Sequence, residues 1–163
     1  WKADPPETDN QPDAISALAV SPDGKTVFSH SYNRVVALAA MDGAYQKDIA
    51  KLDNYVGALA VSPDGKWLLA GGWDQASRLV RVADGKEILN IPSPGWVTSV
   101  AWSPDGTMFA TRDIGGHIEL RSVEGVLLGK AQTSEDSTSG LVWLASGQLV
   151  SWASDEAFTV SLP

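Results

Sequence analysis

Ser21-Pro22-Asp23-Gly24, Ser62-Pro63-Asp64-Gly65 and Ser103-Pro104-Asp105-Gly106 are one tetrapeptide written three times, each copy 41 residues after the last. A further step of 41 from Gly106 reaches Gly147, inside Leu144-Ala145-Ser146-Gly147, and marks a fourth, more divergent copy. Proline presets the second position of a type I turn and glycine accepts a positive φ, so the chain reverses at each copy. A fixed interval of this kind defines a repeat protein, in which a unit must stack on its neighbours to bury its faces.

Strand signals surround each turn. Ahead of it lie Ile15 to Val20, Val56 to Val61, Val97 to Trp102 and Thr138 to Trp143. Large residues recur there at Leu18, Leu59, Val100 and Leu141, then at Val20, Val61, Trp102 and Trp143. Small ones alternate with them at Ala17, Ala58, Ser99 and Gly140, followed by Ala19, Ala60, Ala101 and Val142. Period-two alternation predicts a strand with one large and one small face, suited to the innermost position near a ring axis.

Second strands are predicted at Thr26–Ser29, Trp67–Ala70, Met108–Thr111 and Leu149–Trp152, and third strands near Val35–Ala39, Arg78–Val82, His117–Arg121 and Phe158–Leu162. Asp42-Gly43, Asp84-Gly85 and Glu124-Gly125 read as two-residue hairpin turns. Fourth strands follow at Tyr45–Leu52, Glu87–Pro92 and Val126–Ala131, with none predicted in the last unit. Four strands in about 41 residues is the size of a β-propeller blade. The expected architecture is all-β: an acidic, proline-containing arm at 1–14, then blades at 15–55, 56–96, 97–137 and an incomplete 138–163.

The totals narrow the function classes. With 20 acidic against 12 basic residues the chain carries a net charge of −8, which disfavours nucleic acid as a partner. No apolar run approaches the ~20 residues that span a bilayer, so no membrane partner is expected. The absence of cysteine excludes disulfides, thiolate metal sites and a cysteine nucleophile.

Val97-Thr98-Ser99-Val100-Ala101-Trp102-Ser103-Pro104-Asp105-Gly106 resembles the first strand and turn of a WD-repeat blade. Gly71-Gly72-Trp73-Asp74 resembles the end of that family's second strand with its turn Asp, and the resemblance runs from Ile15 to Pro163. Two features depart from it. Ala39-Ala40, Val82-Ala83 and Arg121-Ser122 stand where Trp-Asp closes the third strand, and no unit carries Gly-His before its first strand. The departures leave open a broader propeller superfamily, including quinoprotein-like and nitrous-oxide-reductase-like types. Rings of the WD-repeat family usually have seven or eight blades, so four units imply about half a ring. The rest would come from a longer protein, from a second copy in an eight-bladed homodimer, or from closure of the four units alone with altered geometry.

No motif points to catalysis. Asp23, Asp64 and Asp105 are explained as turn residues, not metal ligands. His30 and His117 have neither zinc-site nor triad spacing, and are read as structural. The expected cofactor set is therefore empty. Aromatic residues in register are the better candidates: Tyr32 and Trp73 just after second strands, Tyr55 and Trp96 just before first strands. With Arg34 and Arg112 they form the expected partner-binding set on one rim, weighed against packing between blades. Trp102 and Trp143 are read as core. The leading reading is a non-enzymatic WD-repeat-like interaction scaffold that presents its loop rims to a protein or peptide. The alternative is a structural subunit completing a larger assembly. An enzymatic propeller is disfavoured because the first strands carry Ala, Ser, Gly, Val and Leu where titratable residues would converge.

Overall fold

In the computed structural model, residues 15–31, 34–39, 44–51, 55–133, 139–153 and 156–160 are described, so residues 1–14, Tyr32 and the Asp42-Gly43 turn lie outside them. Each Ser-Pro-Asp-Gly turn closes through one local network. The serine N–H donates to the carbonyl five residues on, and the glycine N–H donates to the serine carbonyl at 2.9, 2.8 and 2.9 Å in the three copies. The serine hydroxyl donates to the aspartate two residues on (2.6, 2.7 and 2.6 Å) while accepting the N–H of Thr26, Trp67 or Met108. Gly24, Gly65 and Gly106 take φ of +70°, +74° and +71°, where a side chain would be strained.

These turns join the first two strands of four antiparallel sheets. β1 (Ile15–Val20), β2 (Thr26–Ser31), β3 (Arg34–Ala39) and β4 (Tyr45–Lys51) make the first. β5 (Val56–Val61), β6 (Trp67–Gly72), β7 (Ala76–Arg81) and β8 (Glu87–Pro92) make the second. β9 (Val97–Trp102), β10 (Met108–Asp113), β11 (His117–Ser122) and β12 (Leu127–Gln132) make the third, and β13 (Ser139–Trp143), β14 (Leu149–Ala153) and β15 (Glu156–Val160) the fourth. Every strand pairs with its neighbour in the chain, and β1, β5, β9 and β13 pack successively against one another. That is a stack of propeller blades with the first strands innermost.

The core lies between the sheets. Ala17, Ala19 and Phe28 of the first blade meet Val56, Leu59, Val61 and Leu68 of the second. Ala58, Ala60 and Leu69 of the second meet Val97, Val100, Trp102 and Phe109 of the third. Ala101 and Ala110 of the third meet Leu141, Trp143 and Leu149 of the fourth. The large face of each first strand thus packs backwards on the small face of the preceding blade. Trp102 also donates its indole N–H to the Ala60 carbonyl across the gap at 3.2 Å. Gly71 is required by the same closeness, because a Cβ there would lie 2.6 Å from Val97 Cγ1.

The fourth blade differs from the ruler of 41. Ser103 N–H pairs with Met108 O, but Leu144 N–H pairs with Gln148 O, so the last turn is one residue shorter. Leu149 therefore sits opposite Trp143 as Phe109 sits opposite Trp102, and Trp152 takes the place of Arg112. The third strand predicted at Phe158–Leu162 is described from Glu156 to Val160, and Ser161 and Leu162 lie outside the described residues. The hairpins at Gly85 and Gly125 are also longer than two residues. Their closing pairs are Arg81–Lys86 and Ser122–Val126, with the glycines at φ +70° and +90°.

Two pH responses follow from these contacts. The Ser62 hydroxyl, then the Lys66 N–H, hold the Asp64 carboxyl down at about 2. In Ser62→Ala, an NMR titration will show Asp64 moving up toward the ordinary carboxylate range. His30 is fully buried, its Nδ1 within 2.8 Å of the Ser16 hydroxyl, and burial lowers its pKa from 6.5 to about 4. The unfolded chain binds that proton first as pH falls, so stability drops from pH ~6.5 to ~4 by on the order of 3 kcal/mol. Urea denaturation across this range checks it, and His30→Leu will flatten the slope.

Candidate functional site

Backbone pairing places the rim aromatics. Trp73 leaves the end of β6 and donates its N–H to the carbonyl of Tyr55, the residue before β5, at 2.9 Å. The third blade repeats the arrangement, with Ile114 N–H donating to Trp96 O at 2.8 Å. Both strand ends lie on the same side of the blade stack, so the side chains of two blades converge.

They form a ladder. The Tyr55 and Trp73 rings are 4.3 Å apart and tilted by 43°, and the Trp73 and Trp96 rings are 4.9 Å apart and within 8° of parallel. Offset or tilted contacts at these distances are the favoured geometries for aromatic pairs. Trp73 lies beside Gly57, where a Cβ would sit 3.4 Å from its indole nitrogen, an ordinary van der Waals contact. All three rings remain exposed, at 42, 45 and 42% for Tyr55, Trp73 and Trp96.

Charged groups fix the adjoining turns. Asp74 and Arg78 form a bidentate pair on the turn after Trp73, and Arg78 Nε reaches Glu87 at 3.4 Å. Gln75 completes this turn at φ +61°, unusual for a residue with a side chain. In the third blade Asp113 is buried and accepts the backbone N–H of His117 at 2.9 Å, with the His117 ring nitrogen at 3.0 Å. His117 is thus tied to its turn. Asp23, Asp64 and Asp105 are engaged by their own turns, and no group of three or more metal-binding side chains occurs among the described residues.

Of the six sequence candidates, three meet in the ladder: Tyr55, Trp73 and Trp96. Tyr32 lies outside the described residues, and Arg34 opens β3 in register with Ser31 and Lys51. Arg112 corrects the expectation of a rim contact: its side chain is 0% exposed, with Nη1 donating to the Asp113 carbonyl at 3.3 Å. It occupies the position where Gly71 faces Val97, so it points at the next blade and not at solvent. Trp152 was the residue missed, because counting by 41 aligns it with Thr111.

The model of the "WD domain, G-beta repeat" family matches residues 46–79 and 85–120. Over these two stretches the chain is similar to that family, and its sheets are stacked as the blades of a β-propeller. Each matched stretch runs from the outer strand of one blade through three strands of the next, so the WD-type unit ties adjacent blades together. Kuenenia stuttgartiensis hydrazine synthase is among the similar solved structures, with a TM-score of 0.79 and 17% identity over 98% of this chain and 53% of that one. The chain spans about half the length of that solved chain, and the likeness is one of fold. No curated protein matches it in sequence.

The ladder has a middle rung. Trp73→Ala removes both ring contacts, each worth about 0.5–1.5 kcal/mol, whereas Tyr55→Ala or Trp96→Ala removes one. Urea denaturation will accordingly show the largest loss for Trp73→Ala.

Proposed function

We propose that this chain is a non-enzymatic scaffold that displays the Tyr55–Trp73–Trp96 ladder to a protein or peptide partner. The observation that carries the reading is three aromatic residues joined in a ladder through Trp73 while remaining open to solvent. Aromatic side chains already stacked on rigid strand ends lose little freedom on binding, which favours affinity from a small surface. Trp and Tyr are also the residues that most often dominate binding energy. WD repeats mediate protein–protein contacts generally, and the net charge of −8 disfavours nucleic acid as the ligand.

A second reading rests on different residues. Leu18 and Val20 at one end of the stack are 58 and 57% exposed, and Trp152 at the other is 42% exposed. These are blade faces of the kind buried elsewhere in the chain, which supports a structural role within a larger ring.

Selection of a random peptide display library on the wild-type chain tests the scaffold. Peptides are expected to enrich and to bind Trp73→Ala about 10–100-fold more weakly, the loss typical of a hot spot. Equal binding to a folded Trp73→Ala chain, or no enrichment, overturns the assignment.

A further inference from the structure

We propose that the ligand of the Tyr55–Trp73–Trp96 ladder is a proline-rich segment in the polyproline II conformation, held by ring edges and indole N–H groups. The inference rests on the scaffold reading above and names its ligand class.

The spacing of the rings excludes guests that insert between them. Trp73 and Trp96 have centroids 4.9 Å apart and planes within 8° of parallel. A flat guest touching both would need them ~7 Å apart, twice a carbon–carbon contact. Each indole therefore covers part of the other's face. A cation needs an open ring face, so the same stacking works against a cage built from these rings. What the ladder offers is ring edge, together with the outer faces of its end rungs.

Edges and N–H groups require an acceptor. The aromatic quadrupole is positive at the ring edge, and the indole nitrogen donates without accepting. Trp102 donates to the Ala60 carbonyl and the Trp143 nitrogen is buried. The indole N–H groups of exposed Trp73 and Trp96, by contrast, have no hydrogen-bond partner among the described residues. Anionic acceptors are disfavoured by the net charge of −8. A neutral chain rich in carbonyls and poor in N–H groups is the acceptor that remains. Proline contributes a carbonyl and no donor, and polyproline II leaves its carbonyls without internal partners. Its rings also bring apolar surface to the aromatic residues, the general basis on which aromatic-lined surfaces bind such segments.

The lengths agree. Successive ring centres are 4.3 and 4.9 Å apart, so the whole ladder lies within one turn of polyproline II, three residues and ~9 Å. One Pro-x-x-Pro turn is therefore enough to touch all three rungs. The rungs are set before binding: Trp73 N–H is tied to Tyr55 O at 2.9 Å, Ser93 N–H to Gln75 O at 2.7 Å, and Ile114 N–H to Trp96 O at 2.8 Å. A stiff ligand on a stiff platform loses little freedom on either side.

An NMR titration of the 163-residue chain with end-blocked decaproline, following the indole N–H signals, tests the proposal. Trp73→Phe and Trp96→Phe assign two of those signals and keep an aromatic ring in place. Both signals are expected to move on saturable binding. Each Phe variant is expected to bind decaproline about 5–10-fold more weakly, the loss of one neutral hydrogen bond. End-blocked peptides of alternating Ser and Ala or Ser and Glu, and maltohexaose, serve as neutral, acidic and sugar controls and are expected not to compete. Decaproline binding that leaves both indole signals in place, or that neither Phe variant weakens, overturns the proposal. So does tighter binding of any control. If decaproline fails while the display library still yields peptides that need Trp73, the proline-rich ligand falls and the scaffold stands. If neither binds, both fall.

Discussion

Packing of a large strand face on a small one is the interaction on which this molecule depends. A single four-stranded sheet of this size has two faces and cannot bury either by itself. The chain meets that constraint by giving each innermost strand two characters. Leu59 and Val61 of β5 enter the cluster behind it, while Ala58 and Ala60 enter the cluster ahead. The core is accordingly three sandwiched layers, and the residues between β6 and β9 show how close they lie, since Gly71 leaves no space for a Cβ beside Val97.

Side chains that do not repeat take their roles from the layer they fall in. His30, Gly71, Arg112 and Trp152 occupy one structural position in four blades. The first and third are polar and fully buried, the second accommodates a close approach, and the fourth is exposed. The rim aromatics are placed by the same frame. Trp73 reaches Trp96 because consecutive blades hold their strand ends side by side, not because the two residues are near in sequence.

Most of the fold was legible because its signals are local. Period-two alternation and the Pro-Asp-Gly turns located β1, β5 and β9 to the residue, since both act within a few positions of where they are read. The divergent blade was less legible: a turn closed by Leu144 and Gln148 drops one residue, and fixed counting then misplaces Trp152 and the third strand. In the site, register was enough to bring Tyr55, Trp73 and Trp96 together. Arg112 was read from its charge, although strand alternation already puts it on the same side as Ala110, ahead of the bulge between Arg112 and Asp113. Charge alone suggests a surface residue, and the strand's alternation shows otherwise.

The serine-centred turns carry one more implication. Each completes its hydrogen bonds within six consecutive residues, and every strand pairs only with its chain neighbour. No blade therefore needs information from a distant part of the sequence to form its own sheet, and what it needs from outside is only a face of the opposite kind. A duplication of 41 residues would insert a blade without changing either end of the array. The number of blades is in this sense a matter of copy number.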